Sequence, residues 1–307
     1  MVDERERHRR GIAYGLGAYG MWGLVPLYWP LLDAAGPLEI LSHRIVWSLV
    51  LAGLLLLILR RRGWWRSIAR PRTLLLLTAA AALIAVNWGV YIWAVNSGHV
   101  VEAALGYYIN PILSVLLGVI VLRERLAVGQ WVAVGLAGVA VLVLAVEYGH
   151  PPWVSLILAA SFATYGLLKK QIDSGAVETL TVESAVLTPV AVGYLLWLQA
   201  TGSLVFAHNG LGQSLLLASS GLVTLIPLLL FAAAATRLPL STVGLLQYLT
   251  PTVQFLLGVF YFGEAMSPAR WFGFALVWAA LIVLTVVGLR RARQKEPAEV
   301  VEATEPI

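Results

Sequence analysis

The stretch EAALGYYINPILSVLLGV, residues 102–119, recurs as TVGLLQYLTPTVQFLLGV at residues 242–259, in the same register and without a gap. The alignment keeps a constant offset of 140 residues and extends from 102–144 to 242–284. Tyr108 meets Tyr248 and Pro111 meets Pro251, and a Glu and a Trp further along also coincide. Matching apolar residues alone could arise by chance in two apolar helices. Matching Tyr, Pro, Glu and Trp in one register indicates an internal repeat.

Both copies lie in a very apolar chain. Hydrophobic residues make up 60% of its 307 positions, charged residues only 12%, and the mean hydropathy is +0.83. An average soluble domain is about a quarter charged, so this chain could not cover a soluble surface. A membrane-spanning helix needs about 20 apolar residues. Ten such segments are predicted, at 11–32, 38–59, 73–95, 100–121, 128–146, 152–171, 180–200, 212–235, 240–262 and 269–289.

Basic residues are distributed unevenly between the loops that these spans create. Of the 21 Lys and Arg residues, only Arg44 and Arg270 fall on one side of the predicted membrane. Since basic residues accumulate in cytoplasmic loops, both termini are predicted to be cytoplasmic, in the cell inner (plasma) membrane. The net charge of +5 therefore indicates orientation rather than nucleic-acid binding. Residues 1–10 form a basic cytoplasmic tail, and residues 290–307 are predicted to be a disordered cytoplasmic tail.

The repeat divides the chain into a first half at 11–146 and a second half at 152–289, each with five predicted helices. Five is odd, so the second half must enter the membrane from the opposite face. The predicted fold is therefore an all-α polytopic membrane protein whose ten transmembrane helices form two inverted five-helix repeats. Inverted repeats are frequent in secondary transporters, which bind their solute at mid-membrane between the halves. The alternative is a duplicated membrane sensor or scaffold that transports nothing.

Several longer segments resemble a known family. They include EILSHRIVWS at 39–48, NWGVYIWAVNSGHVVEAALGYYINP at 87–111 and LPLSTVGLLQYLTPTVQFLLGVFYFGE at 238–264. These segments resemble the RarD group of the drug/metabolite transporter superfamily, whose members carry two EamA-type repeats. The resemblance implies an inner-membrane permease that works by alternating access. It supplies no physiological substrate.

Polar side chains within the spans predict a central cavity, because such residues are costly in a bilayer and are usually functional. Asn110 lies about ten residues into its helix, hence about 15 Å deep, and the repeat places polar residues opposite it. Pro111 and Pro251 each free a carbonyl beside these residues, and Pro227 is predicted to interrupt its own helix. The alternative is close helix packing through small residues. The predicted lining comprises Asn87, Tyr91, Tyr107, Tyr108, Asn110, Ser114, Gln247, Tyr248, Thr250 and Gln254.

Four residues near the outer ends of the second and fourth spans form a second candidate site: Glu39, His43, Arg44 and Glu102. Glu39 and His43 are one helical turn apart and can pair. Arg44 needs an anionic partner, and Glu102 is a candidate for it. We interpret the group either as a structural ion pair at the interface or as an outer gate or proton-linked site. On the opposite side, Glu183 is a candidate partner for Lys169 or Lys170, which are otherwise expected to be topology anchors.

The chain lacks the patterns that enzymes and ATP-driven pumps need. There is no Walker sequence, no HExxH, no Cys/His metal pattern and no cysteine, so we predict no enzyme activity, no cofactor and no metal. The expected partners are the lipid bilayer and a small-molecule substrate, with no nucleic acid, and the oligomeric state stays open. The aromatic and amide lining suits a small amphipathic solute such as an amino acid or drug-like compound. With no cation expected near the predicted midplane, a multiply charged anion is disfavoured.

Overall fold

The computed structural model describes residues 2–60, 63–123, 126–172 and 174–302, and within these ranges all regular structure is helical. The prediction of an all-helical multi-pass membrane protein is confirmed there, because eight helical segments are long and apolar enough to cross a bilayer, one of them the composite segment Thr242–Tyr261. The helices are α1 (Val2–Leu24), α2 (Pro37–Ile58), α3 (Trp65–Ile68), α4 (Pro71–Asn96), α5 (Val100–Leu122), α6 (Val128–Tyr148), α7 (Trp153–Lys169), α8 (Ala176–Thr201), α9 (Gly210–Ala235), α10 (Leu240–Leu246), α11 (Leu249–Leu256) and α12 (Pro268–Glu302).

Two of the ten predicted spans fall short of that standard. Helix α1 ends at Leu24, and the chain continues as two 3₁₀ turns, Val25–Leu27 and Trp29–Leu32, rather than as one helix over 11–32. The turns contain Pro26 and Pro30, which cannot donate the backbone hydrogen bond that an α-helix requires. Helix α7 is apolar but only 17 residues long.

The prolines act differently in the two copies of the repeat. Helix α5 runs through Pro111 and helix α9 runs through Pro227, so neither proline ends its helix. The ninth predicted span is instead divided into α10, α11 and a π-helical turn at Leu257–Tyr261. The first break lies four residues before Pro251, where the missing N–H of proline leaves a helical carbonyl without its partner.

The contacts between helices follow the same pattern in the first and second parts of the chain. Helix α2 packs on α8, α6 on α12 and α5 on α11. Helix α1 packs on α9 and α11, α7 packs on α4 and α5, α2 also contacts α9, and α8 also contacts α4. Five helices correspond in order to five others: α1, α2, α4, α5 and α6 to α7, α8, α9, α11 and α12. If each helix is replaced by its counterpart, the same set of contacts results.

The outer surface of the bundle is apolar. Leu57, Val146 and Leu211 are 75%, 83% and 76% exposed, and many other large apolar side chains are exposed with them. A water-soluble surface rarely carries a continuous apolar area of this kind, whereas lipid chains cover one without cost. Helix α12 continues to Glu302. Residues 303–307 of the predicted tail lie outside the described residues, and its disorder stays a prediction.

Candidate functional site

Asn87 on α4 joins three helices through its buried amide. Its Nδ2 donates to the carbonyl of Leu158 and to the hydroxyl of Ser161, both on α7 and both at 3.0 Å. The hydroxyl of Tyr107 on α5 donates to Oδ1 of Asn87 at 3.3 Å. The side chain is only 1% exposed, so these bonds replace the water that the amide loses.

Gln254 on α11 approaches the same place from the second half of the chain. Its Nε2 donates to the hydroxyl of Tyr91 at 2.8 Å and to the carbonyl of Trp22 at 3.1 Å. The rings of Tyr91 and Tyr107 meet edge to face, with centroids 5.6 Å apart. We call Asn87, Tyr91, Tyr107 and Gln254 the central polar network, because these contacts connect them. The Oε1 atom of Gln254 is buried without a hydrogen-bond partner, so the network has an unused acceptor.

Arg44 on α2 extends this region with a buried positive charge. It is 7% exposed, and its Nε donates to the hydroxyl of Thr224 on α9 at 2.9 Å. Its guanidinium lies 3.9 Å from the ring centroid of Trp88 and 5.3 Å from that of Trp29. We call Arg44, Trp29, Trp88 and Thr224 the arginine cage. Trp88 directly follows Asn87 on α4, and Trp29 packs in one apolar cluster with Tyr91 and Tyr107, so the cage adjoins the central polar network.

One interpretation of Arg44 is wrong. Glu102 is not its partner, because Glu102 accepts a hydrogen bond from the backbone N–H of Val154 at 3.3 Å, at the start of α7. Arg44 lies seven residues after Pro37, about 10 Å along α2 and short of the predicted midplane, so the expectation of no cation at the midplane stays a prediction. Helix α2 packs beside α4 and α9, and Arg44 contacts Trp88 on α4 and Thr224 on α9.

Three carboxylates bond to backbone N–H groups of the other half of the chain. Glu102 does so as described above, and Glu39 accepts from Val205 and Phe206 at 3.0 and 3.1 Å. His43 Nε2 lies 3.9 Å from the Glu39 carboxylate, so the predicted Glu39–His43 proximity is present. The third carboxylate, Glu264, lies between two spans.

Glu264 receives two backbone hydrogen bonds at the start of α5. Its two carboxylate oxygens accept from the N–H groups of Val100 and Val101, at 2.5 and 3.0 Å. Burial raises the pKa of Glu264, and the two N–H donors oppose part of that rise. The internal repeat aligns Glu264 with Glu124, which lies outside the described residues.

The other predicted lining residues lie elsewhere in the bundle. Tyr108 bonds with the hydroxyl of Thr252 at 2.8 Å and packs with Tyr248 in an apolar cluster built on α5, α6 and α12. Thr250 donates to the carbonyl of Tyr19 at 2.8 Å. Among the remaining predicted residues, Ser114 is exposed, Gln247 is partly buried, and Asn110 keeps a buried Oδ1 without a partner.

Sequence reasoning did not select several residues of this region: Trp22, Trp29, Trp88, Ser161 and Thr224. Trp88 directly follows the selected Asn87, and Thr224 is a polar residue well inside a predicted span, and these were the available signals. In the described ranges, no three His, Asp or Glu side chains come together as a metal site would require.

Comparison with known proteins places this chain in a family. Residues 9–146 match the model of the EamA-like transporter family. The chain is 60% identical to Protein RarD of Streptomyces exfoliatus, over 96% of this chain and 93% of the relative. It is 44% identical to an uncharacterized transporter of Vibrio cholerae, over 94% and 96% of the two chains. It is 39% identical to Protein RarD of Escherichia coli (strain K12), over 95% and 99%.

A protein of known crystal structure has the same fold. The superposition gives a TM-score of 0.59 at 16% sequence identity and covers 91% of this chain and 98% of the other. At that identity the likeness concerns the fold alone.

Proposed function

This chain belongs to the RarD group of EamA-type transporters, and on that premise we propose that it is a secondary transporter of a small organic solute. The solute binds near mid-membrane between the two halves of the chain. Transport proceeds by alternating access in the cytoplasmic membrane, with both termini in the cytoplasm.

One observation carries the proposal: the central polar network and the arginine cage draw side chains from both halves of the chain into one buried region. Asn87, Tyr91 and Tyr107 come from the first half, whereas Gln254 and Thr224 come from the second. Buried polar groups inside a bilayer are expensive and concentrate where a substrate passes. A site shared by two halves can open to either side when the halves rock against each other.

The repeat supports an inverted arrangement of the halves. The alignment at 102–144 and 242–284 has a constant offset, and each repeat unit has an odd number of predicted spans. The correspondence of helix contacts described above is what a two-fold axis in the membrane plane would produce. The concentration of Lys and Arg in alternate loops supports cytoplasmic termini.

Alternating access also gives the three outer carboxylates a role. Glu39, Glu102 and Glu264 each bond to backbone N–H groups in the opposite half, at the end of the bundle that we assign to the outside. An outward-open state requires these bonds to separate. We therefore assign them to the outer gate, which keeps the site closed on that side until the halves move.

The proposal is tested by solute flux in proteoliposomes that contain the purified full-length protein. Radiolabelled amino acids, organic acids and neutral drug-like compounds are screened against empty vesicles, with and without a pH gradient. We expect flux of at least one class above the empty-vesicle rate, and a lower rate for Asn87→Ala and Gln254→Ala.

Gln199→Ala is the matched control, because this amide is exposed at the end of α8. It should transport at the wild-type rate. If no solute exceeds the empty-vesicle rate and Asn87→Ala changes only the stability, then the sensor or scaffold alternative replaces the transporter.

A further inference from the structure

Arg44 is a buried cation that has no counter-charge among the residues that the structure describes. Among the residues that the structure describes, only Thr224 accepts a hydrogen bond from its side chain, and that bond uses Nε alone. The described ion pairs involve other residues, so no carboxylate in the described part of the chain neutralises this guanidinium. A guanidinium has five N–H donors, and four of them belong to the two terminal nitrogens that Thr224 leaves free.

The aromatic neighbours do not use these donors. Trp88 and Trp29 approach the guanidinium through their ring faces, at 3.9 and 5.3 Å from their centroids. Stacking of this kind occupies a face of the planar group and leaves its edge open. Arg44 keeps a small exposed fraction of 7%, so its burial is nearly complete but not total. The open edge is the side that binds a carboxylate through two parallel hydrogen bonds.

We propose that the arginine cage binds the carboxylate of the transported solute, which is a small organic monoanion with an apolar or aromatic body. The inference rests on the proposed transport function and names its substrate class. A single unpaired arginine matches a single negative charge. Lys169, a partly buried cation at the end of α7, already pairs with Glu183 at 2.8 Å. The rings of Trp29 and Trp88 beside the guanidinium, with Tyr91 and Tyr107 near them, make the surroundings of Arg44 aromatic, which suits an apolar or aromatic body.

The burial of Arg44 is the main argument for this role. An unpaired charge in a dry interior is strongly unfavourable, and a purely structural arginine would be expected to have a permanent acidic partner. Thr224 positions the group, because its hydroxyl also donates to the carbonyl of Ser220 at 3.1 Å and is therefore fixed on α9. A solute that supplies the missing charge completes the site only while it is bound, and a transporter needs that reversibility.

The test compares carboxylates with their neutral amides on the purified full-length protein. Binding of radiolabelled phenylacetate, indole-3-acetate and pyruvate is measured by a scintillation proximity assay, with each corresponding amide as competitor. We expect at least one carboxylate to bind and its amide to compete at least about tenfold more weakly, because the amide loses the charge-assisted pair. Arg44→Gln should abolish binding, and Arg44→Lys should weaken it, since an ammonium cannot form the planar fork.

Arg270→Gln is the matched control. It removes one cation near the same end of the bundle, where Arg270 stacks on Tyr148 at 4.6 Å and donates to the carbonyl of Ala265. Carboxylate binding should be unchanged. If Arg44→Gln fails to fold, the comparison of carboxylate with amide on the wild-type protein still decides the question.

Three results would overturn the inference: an amide that binds as well as its acid, binding of inorganic phosphate alone, or no binding by any carboxylate of the panel. None of these results contradicts the proposed transport function, because neutral solutes could still be transported. Conversely, carboxylate binding without any flux in proteoliposomes would remove transport and leave the anion site.

Discussion

Lys169 and Glu183 form an ion pair between the end of α7 and the second turn of α8. The Lys169 Nζ atom lies 2.8 Å from the carboxylate of Glu183 and also bonds the hydroxyl of Thr179. The second carboxylate oxygen accepts from the hydroxyl of Tyr165 at 3.2 Å. The two charged side chains differ in burial, because that of Glu183 is 3% exposed and that of Lys169 is 24% exposed.

This difference predicts unequal costs for removing the two partners. At the observed separation of 2.8 Å, with an effective dielectric constant of about 20, the attraction is about 6 kcal/mol before the cost of desolvation. Lys169→Met strands a buried carboxylate and should lower the free energy of unfolding by about 3–5 kcal/mol. Glu183→Gln leaves an ammonium whose flexible stem can turn toward water, and should cost only about 1–2 kcal/mol.

The double variant Lys169→Met/Glu183→Gln completes the thermodynamic cycle. It removes both charges while roughly keeping their volume, so we expect a loss under about 2 kcal/mol. The measurement is reversible unfolding in mixed micelles of dodecylmaltoside and SDS, followed by far-UV circular dichroism for all four proteins. The coupling energy of the pair is the amount by which the double variant is more stable than the two single losses together predict.

Two results would refute this reasoning. Equal losses for Lys169→Met and Glu183→Gln would show that the difference in burial does not govern the cost. Additive losses in the double variant would show that the pair contributes no coupling and that Lys169 is only a topology anchor.

Three further changes test other contacts. Asn87→Ala should lower the free energy of unfolding by about 1–3 kcal/mol in the same micelle titration, because the Tyr107 hydroxyl on α5 loses its acceptor and two groups on α7 lose a donor. Gly106→Ala should cost about 1–3 kcal/mol on that assay, because a Cβ there would lie 2.8 Å from the backbone oxygen of Ser155. Glu264→Gln should alter the pH dependence of stability. Because the pKa of Glu264 is raised in the folded protein, its protonation stabilises the fold at low pH, and this contribution is lost as the pH rises. In thermal melting scans, the stability of wild type relative to the variant should therefore increase as the pH falls below neutral.

Each of these variants has a control and a contrary outcome. Gly135→Ala introduces the same methyl group where nothing lies within 4 Å, and should leave the stability nearly unchanged. Equal effects at Gly106 and Gly135 would contradict the close approach of α5 and α7. An Asn87→Ala loss within error of wild type would mean that water satisfies the freed groups. Parallel melting curves for wild type and Glu264→Gln across the pH range would contradict a role for burial at Glu264.

The pairing of Lys169 with Glu183 was accessible from sequence because both residues lie near one short loop. A two-helix hairpin brings the end of one span and the start of the next together whatever else the fold does. The same local reasoning placed Glu39 beside His43, one helical turn away on α2. It failed for Arg44 and Glu102, which lie on different spans and meet different neighbours.

The internal repeat also allowed predictions about residues on distant spans, and only some of those residues join the central polar network. The central polar network contains four of the residues that the sequence selected: Asn87, Tyr91, Tyr107 and Gln254. The alignment could not separate these from Tyr108, which lies next to Tyr107 but points toward α12. Adjacent residues on a helix face directions about 100° apart, and a sequence pattern alone does not say which direction holds the cavity.

The sequence by itself determined that this chain crosses a membrane many times as helices. A bilayer offers no water to backbone polar groups, so a run of about 20 apolar residues can satisfy them only as a helix. Only the tertiary structure decided which polar side chains meet inside the bundle. Arg44 and Thr224 are 180 residues apart, and Gln254 and Tyr91 are 163 apart. Such contacts depend on how distant helices pack, and helix packing depends on side chains along the whole length of both partners.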